Sequence, residues 1–161
     1  MNKKESNKSP QKDNQFRTIT LEEHYATPLF FEGPGHQLKA QAQAAKMHPQ
    51  QTGGFVLPID QLADIGEGRI MEMDEAGIDV QVLSLTSPGV EQLDASAAVD
   101  LALDANDYLA DAVQKHPTRL AGFATLPTAA PDTATHQLER MVTTPPPQSV
   151  IKASYIGNYS R

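Results

Sequence analysis

Short apolar runs alternate with helix-forming segments along most of this 161-residue chain, and this alternation limits the folds open to it. The apolar runs cover residues 17–21, 78–85 and 119–127. Strands that alternate with helices pair in parallel through right-handed connections. We therefore predict an α/β fold of about three β/α units, with three buried strands, which are too few to close a barrel.

The segments between the runs carry helix signals of different strength. Residues 94–116 give the strongest, because alanine, leucine and valine recur there at three- and four-residue steps. A weaker pattern begins at Asp60, a residue suited to cap a helix, and Gly66 and Gly68 indicate that this helix forms in two pieces. Further helices are predicted over residues 38–47 and from about 131 to 142.

Both ends of the chain differ in composition from its middle. Residues 1–16 are basic and polar, and because no apolar stretch follows them we expect a disordered lead rather than a signal peptide. Residues 143–161 contain three consecutive prolines and no periodicity, which predicts an irregular tail rather than a fourth β/α unit. One partial β/α domain over residues 17–142 remains between them.

Charge and residue types argue against several classes of function. The net charge is -7 and the pI about 5.1, so we expect no electrostatic binding to nucleic acid or to an anionic membrane. No apolar run approaches the ~20 residues that a membrane helix needs. The chain has no cysteine, which leaves any metal to His, Asp and Glu. The lack of cysteine also suits the cytoplasm, the location that we expect.

Acidic residues and a histidine stand together at the end of the first predicted strand, in the stretch TITLEEHYATP. Successive strand residues face opposite sides, so Glu22 and His24 would share a face with Cα atoms roughly 6.6 Å apart. A carboxylate and an imidazole at that spacing are able to bind one divalent ion. Glu23 would point toward a helix, a ligand or solvent. Spacing alone leaves two interpretations open, a metal site and a polar strand end without chemistry.

The remaining histidines are weaker candidates. His36 and His48 lie in the long connection after the first strand, and a contact with a ligand is the functional interpretation for each. His116 precedes a proline at a helix end, and a favourable interaction with the helix dipole explains it. We place His136 on the outer face of the last helix.

We interpret the polar residues in and before the strongest predicted helix as structural rather than functional. Asp94 stands where an N-cap is expected. Asp104, Asn106 and Asp107 fall within the helix, so we predict a solvated face or a hydrogen bond to another helix for them.

Several stretches are similar, in sequence and in order, to the metal-dependent amidohydrolase-related (amidohydrolase 2) family. They are ITLEEHYATP, RIMEMDEAGIDVQVLSLTSPGV, ANDYLADAV, HPTRL and AGFATLP, and they extend over residues 19–142. Within the family, the chain resembles the γ-resorcylate decarboxylases, with aminocarboxymuconate-semialdehyde decarboxylases as cousins. The resemblance rests on Glu-x-His in the first strand, where many amidohydrolases have His-x-His.

This resemblance implies the N-terminal portion of a (β/α)8 TIM barrel. It implies that Glu22 and His24 are the first two ligands of a divalent metal, expected to be zinc. The other ligands and the catalytic residues would belong to segments that this sequence lacks, and we interpret the departure after Val142 as a truncation. The implied reaction is non-oxidative decarboxylation of a small hydroxybenzoate-like acid, in an enzyme that forms homo-oligomers. A metal-dependent hydrolase and a catalytically inactive remnant are the alternatives.

Overall fold

Four parallel strands form one sheet in the order β1-β2-β3-β4 in this computed structural model. It describes residues 16–48, 58–143 and 150–151. The strands are β1 Ile19–Tyr25, β2 Val80–Leu85, β3 Leu120–Phe123 and β4 Val150–Ile151. The helices are α1 Pro28–Glu32, α2 His36–Met47, α3 Ile59–Ala63, α4 Glu67–Ala76, α5 Ala95–Lys115 and α6 Pro131–Thr143. The predicted α/β fold with a parallel sheet is confirmed.

Most helix boundaries follow the local sequence signals, but α3 begins at Ile59, so Asp60 lies in its first turn and is not its N-cap as predicted. The weak helix forms in two pieces, α3 and α4, as predicted, and Gly66 donates its backbone N–H to Asp64 Oδ1 at 2.8 Å in the gap between them. Asp94 caps α5 as predicted, because its carboxylate accepts hydrogen bonds from the N–H groups of Ser96 and Ala97. None of the described helices combines the length and the apolar character that crossing a membrane requires.

Helix α5 covers the centre of the sheet. Its Leu109 is fully buried among side chains of β1, β2 and β3, including Tyr25, Leu83 and Leu120. A Cβ atom built on Gly122 would lie 2.4 Å from Leu109 Cδ2, so the helix approaches β3 as closely as it does because this position is glycine. The main core is therefore the contact between α5 and the sheet.

The long connection after β1 folds back onto the start of α5. Its helix α1 buries Phe30 and Phe31 in a second apolar cluster with Ala98, Leu101 and Ala102 of α5. The predicted helix over residues 38–47 is present as α2, which begins two residues earlier. The two phenylalanines thus anchor this connection in the core.

The first strand is not buried along its length, which corrects the sequence prediction. Ile19 and Leu21 expose 54% and 64% of their surface. Within the described residues, β1 stands at the edge of the sheet and has a neighbouring strand, β2, on one side. An edge strand leaves one side of its apolar residues without packing partners, and hydropathy alone does not reveal which strand lies at an edge.

A short part of the C-terminal tail is regular, so the prediction of a wholly irregular tail is wrong at two residues. Val150 and Ile151 pair in parallel with Gly122 and Phe123 of β3. Valine and isoleucine favour extended backbone, and the edge of β3 offers unpaired backbone groups for pairing. The predicted lead and the rest of the tail fall largely outside the described residues, and the boundary at residues 142–143 stays a prediction.

Candidate functional site

The ends of β1 and β2 bring His24 next to Ser84. The two residues are paired in register, and Ser84 Oγ lies 3.3 Å from His24 Nδ1. The imidazole is exposed to solvent. In β/α folds, ligands bind at the carboxyl ends of parallel strands, where the following loops meet. His24 therefore occupies the position in which the fold places functional side chains.

Glu22 lies in the same strand, but the regular alternation of β1 is interrupted beside it. The pairing of β1 with β2 shifts register between Thr20 and Glu23. Such a shift changes the direction of neighbouring side chains, so alternation alone does not fix which residues share a face. The Glu22 side chain lies outside the described part of the chain, and its role as a metal ligand stays a prediction, as does that of His24.

Glu23 lines a cleft of about 380 Å³ between β1 and the helices α3 and α4, together with Arg69. The Arg69 guanidinium is held by protein oxygens. It donates hydrogen bonds to the backbone oxygens of Asp64, Gln61 and His24 at 2.8, 3.0 and 2.9 Å, and to Gln81 Oε1 at 3.1 Å. Burial lowers the pKa of Arg69, while nearby Glu23 and Asp64 oppose that shift. Arg69 therefore fixes the backbone at His24.

Asn106 corrects the sequence prediction for the middle of α5. Its side chain is fully buried, donates to the backbone oxygen of Thr125 at 2.9 Å and accepts from the Thr125 N–H at 2.8 Å. The prediction of a solvated face or a hydrogen bond to another helix is therefore wrong for Asn106. The sequence held a signal for burial, because Asn106 follows Ala102 by four residues and precedes Leu109 by three, within the apolar stripe.

The two aspartates beside Asn106 have different partners. Asp104 accepts a hydrogen bond from the hydroxyl of Thr27, the buried N-cap residue of α1, so it binds the segment that follows β1. Asp107 forms an ion pair with Arg140 of α6, which confirms a contact between helices. Asp104 and Asn106 thus bind the segments that follow β1 and β3. The sequence did not predict these two contacts, because the partners lie far apart in the chain.

Tyr25 belongs to the core and not to the exposed edge near His24. Its hydroxyl donates to the backbone oxygen of Ala105 at 3.0 Å, and its ring stacks against Tyr108 at 6.4 Å between centroids. Burial raises the pKa of Tyr25 above its ordinary value of 10.0, since the phenolate would lose its hydration.

We expect the free energy of unfolding to fall as pH rises above 10. The folded state keeps the proton on Tyr25 while the unfolded chain releases it, so the stabilisation is complete below pH 10 and is lost above it. The slope from one such group is about 1.4 kcal/mol per pH unit. Urea unfolding between pH 9 and 11 measures it, and Tyr25→Phe should flatten the curve. An unchanged curve in Tyr25→Phe would assign the alkaline loss to other groups.

The other histidines lie apart in the fold. His116 is the C-cap residue of α5, as expected for a helix end, and its Nε2 lies 3.7 Å from Glu67 Oε1. His136 is exposed on α6, which confirms its predicted outer position. His36 begins α2 and His48 follows its end, and a ligand contact for either stays a prediction.

The exposed imidazole at the end of β1 is a side chain of the kind that binds divalent cations. An imidazole is a common ligand for transition metals, and a neighbouring carboxylate would complete a nitrogen–oxygen pair. Among the described residues, no three His, Asp or Glu side chains come together to hold a metal ion. The predicted role of His24 as a metal ligand therefore stays a prediction.

Curated relatives of the chain are decarboxylases, while no family model matches it. The γ-resorcylate decarboxylase of Polaromonas sp. (strain JS666) is 37% identical over 131 residues, which cover 77% of this chain and 35% of that protein. The γ-resorcylate decarboxylase of Rhizobium sp. (strain MTP-10005) is 36% identical over 132 residues, with the same coverage. The chain spans about a third of the length of these relatives.

Solved structures give the same result for the fold. A 2,6-dihydroxybenzoate decarboxylase in complex with 2,6-dihydroxybenzoate is 33% identical, with a TM-score of 0.61 over 80% of this chain and 36% of that one. The 5-carboxyvanillate decarboxylase of Novosphingobium aromaticivorans, in complex with manganese and 4-hydroxy-3-methoxy-5-nitrobenzoic acid, is 30% identical, with a TM-score of 0.65 over 82% and 40%.

The similarity in sequence and the similarity in fold therefore agree, and they confirm the resemblance that the motifs indicated. The parallel sheet and its helices are part of a (β/α)8 barrel. The chain is a homologue of the γ-resorcylate decarboxylases and belongs, over the third of their length that it spans, with the aromatic-acid decarboxylases of the amidohydrolase superfamily.

Proposed function

We propose that this chain is part of a metal-dependent, non-oxidative decarboxylase of small hydroxybenzoate-like acids, in which Glu22 and His24 supply two metal ligands. One observation carries the proposal. A chain 37% identical to a γ-resorcylate decarboxylase has an exposed histidine, the last residue of its Glu-x-His motif, near the carboxyl end of β1.

The metal is proposed as a divalent cation. Zinc is the ion expected from the sequence, whereas two of the solved relatives have bound manganese, and an imidazole–carboxylate set suits either. When bound, such an ion would orient the carboxylate and the adjacent phenolic oxygen of the substrate and stabilise negative charge. His24 and Glu22 would hold it at the strand end.

The proposed substrate is a small aromatic carboxylic acid. The solved relatives were obtained with 2,6-dihydroxybenzoate, 2-nitroresorcinol and 4-hydroxy-3-methoxy-5-nitrobenzoic acid. In the reaction, the bond between the ring and the carboxyl carbon breaks, CO2 leaves and a proton replaces it on the ring carbon. We assign no residue of this chain as the donor of that proton.

We further propose a cytoplasmic location and a homo-oligomer. The location agrees with a sequence that has no cysteine. The oligomer agrees with the exposed apolar side chains Ile19 and Leu21 on an edge strand, because such a strand is able to pair with another chain.

An inactive fragment is the second candidate. It is favoured because, among the described residues, no three metal-ligating side chains form a cluster. A metal site normally has four ligands, so two give weak binding. Decarboxylation also needs a proton donor. Metal-dependent hydrolysis stays an alternative reaction of the same superfamily.

The test uses the full 161-residue chain. Titration with Mn²⁺ and, separately, with Zn²⁺ measures binding by calorimetry, and incubation with 2,6-dihydroxybenzoate measures the release of CO2. We expect weak, saturable binding of one ion per chain. Binding with CO2 release would show an active enzyme, and binding without it would identify a chain that carries ligands of an incomplete site. A folded chain that binds neither ion would contradict the proposal.

A further inference from the structure

The hydroxyl of Ser84 faces one particular nitrogen of His24. Ser84 is half-buried, and its Oγ lies 3.3 Å from Nδ1 of the exposed imidazole. It is the only residue of β2 with a hydroxyl group, and its neighbours Val82 and Leu83 are buried and apolar. The hydroxyl of this strand therefore lies next to the candidate ligand.

The backbone on both sides of this contact is fixed. His24 and Ser84 are paired in register, and the Thr86 N–H donates to the backbone oxygen of Tyr25 at 2.9 Å one step further along. The backbone oxygen of His24 accepts from Arg69 at 2.9 Å. With the backbone fixed, rotation of the ring remains as the main freedom of His24, and the contact with Ser84 restricts it.

A neutral imidazole binds a metal through the nitrogen that carries no proton. The hydrogen bond at one nitrogen decides which tautomer is present, and histidines that ligate metals generally donate their other N–H to an oxygen. If Ser84 accepts a hydrogen bond from Nδ1–H, the lone pair lies on Nε2, which is then free to bind a metal. If the hydroxyl instead donates to Nδ1, the proton lies on Nε2 and blocks that nitrogen.

We propose that Ser84 is a positioning residue, which accepts the Nδ1–H of His24 and so presents the Nε2 lone pair to a divalent cation. The proposal rests on the proposed function in one respect, the role of His24 as a metal ligand. The tautomer itself is a property of the metal-free chain, so it is tested separately.

The first test observes the histidine tautomer by ¹⁵N NMR of the metal-free full chain, at a pH where the imidazole is neutral. We expect His24 to be in the Nδ1–H form in the wild type and in Ser84→Thr, which retains the hydroxyl. In Ser84→Ala the signal should shift toward the Nε2–H form. A wild-type chain with the proton on Nε2, or a tautomer unaffected by Ser84→Ala, would overturn the proposal whatever the chain does with metals.

The second test measures Mn²⁺ affinity. We expect Ser84→Ala to weaken binding by roughly 10–100-fold, the usual effect of losing a residue that orients a ligand, and Ser84→Thr to restore most of it. Ser96→Ala is the matched control, because Ser96 is an exposed serine in the first turn of α5. Equal affinity with and without the Ser84 hydroxyl would refute the positioning role. A wild-type chain that binds neither Mn²⁺ nor Zn²⁺ would contradict the proposed function, while NMR still decides the role of Ser84.

Discussion

Replacing His24 with alanine is expected to abolish saturable binding of Mn²⁺ by this chain. The imidazole is a direct ligand in the proposed site, and Glu22 alone would leave a single carboxylate, which binds a divalent cation only weakly. The loss should therefore exceed the roughly 10–100-fold expected for a residue that only orients a ligand. Electron paramagnetic resonance of Mn²⁺ gives the free and bound ion directly.

The control for this variant is His136→Ala. His136 is an exposed histidine on α6, so its substitution removes an imidazole without touching β1, and binding should not change. Glu22→Gln should reduce Mn²⁺ binding as His24→Ala does, because an amide oxygen carries no full charge. Binding that persists in both variants would end the assignment of the metal to this strand.

Asn106→Ala is expected to lower the free energy of unfolding by about 2–4 kcal/mol. The substitution removes the donor and the acceptor that satisfy the backbone oxygen and N–H of Thr125. A buried polar group without a partner costs about 1–3 kcal/mol, and both backbone groups of the half-buried Thr125 would lose their partner. The segment after β3 would also lose its attachment to α5. Urea unfolding followed by circular dichroism measures the change.

Asp107→Ala is the matched control, since it makes the same kind of truncation at the next residue of α5. Its carboxylate pairs with Arg140 at the surface, where such pairs contribute about 0–1 kcal/mol. We therefore expect a clear difference between two adjacent positions of one helix. Equal effects of the two substitutions would show that the contact between Asn106 and Thr125 contributes little.

Local patterns predicted most of the elements. The three- and four-residue repeats of α5, the cap at Asp94 and the break between α3 and α4 all depend on residues close in sequence, and each is present. The tail was predicted less well. Val150 and Ile151 pair with an edge that β3 presents, and no pattern within the tail reports on the state of a distant edge.

The candidate site was predicted in part. The motif in β1 marked Glu22 and His24, and the structure places His24 exposed beside Ser84. Ser84 entered the sequence analysis only as a residue of the second strand. The hydrogen bond depends on the register between β1 and β2, and a sequence specifies that register only through the packing of both strands.

Sequence by itself determined the alternation of strands and helices, the cap at Asp94 and the Glu-x-His motif, because periodicity, capping and motif spacing are properties of neighbouring residues. Tertiary structure decided which nitrogen of His24 meets a hydroxyl, why Asn106 is buried in an apolar stripe and which strand stands at the edge. Each of these depends on two segments that are far apart in the chain and adjacent in space. Their contacts become defined only when the whole sheet and its helices pack together.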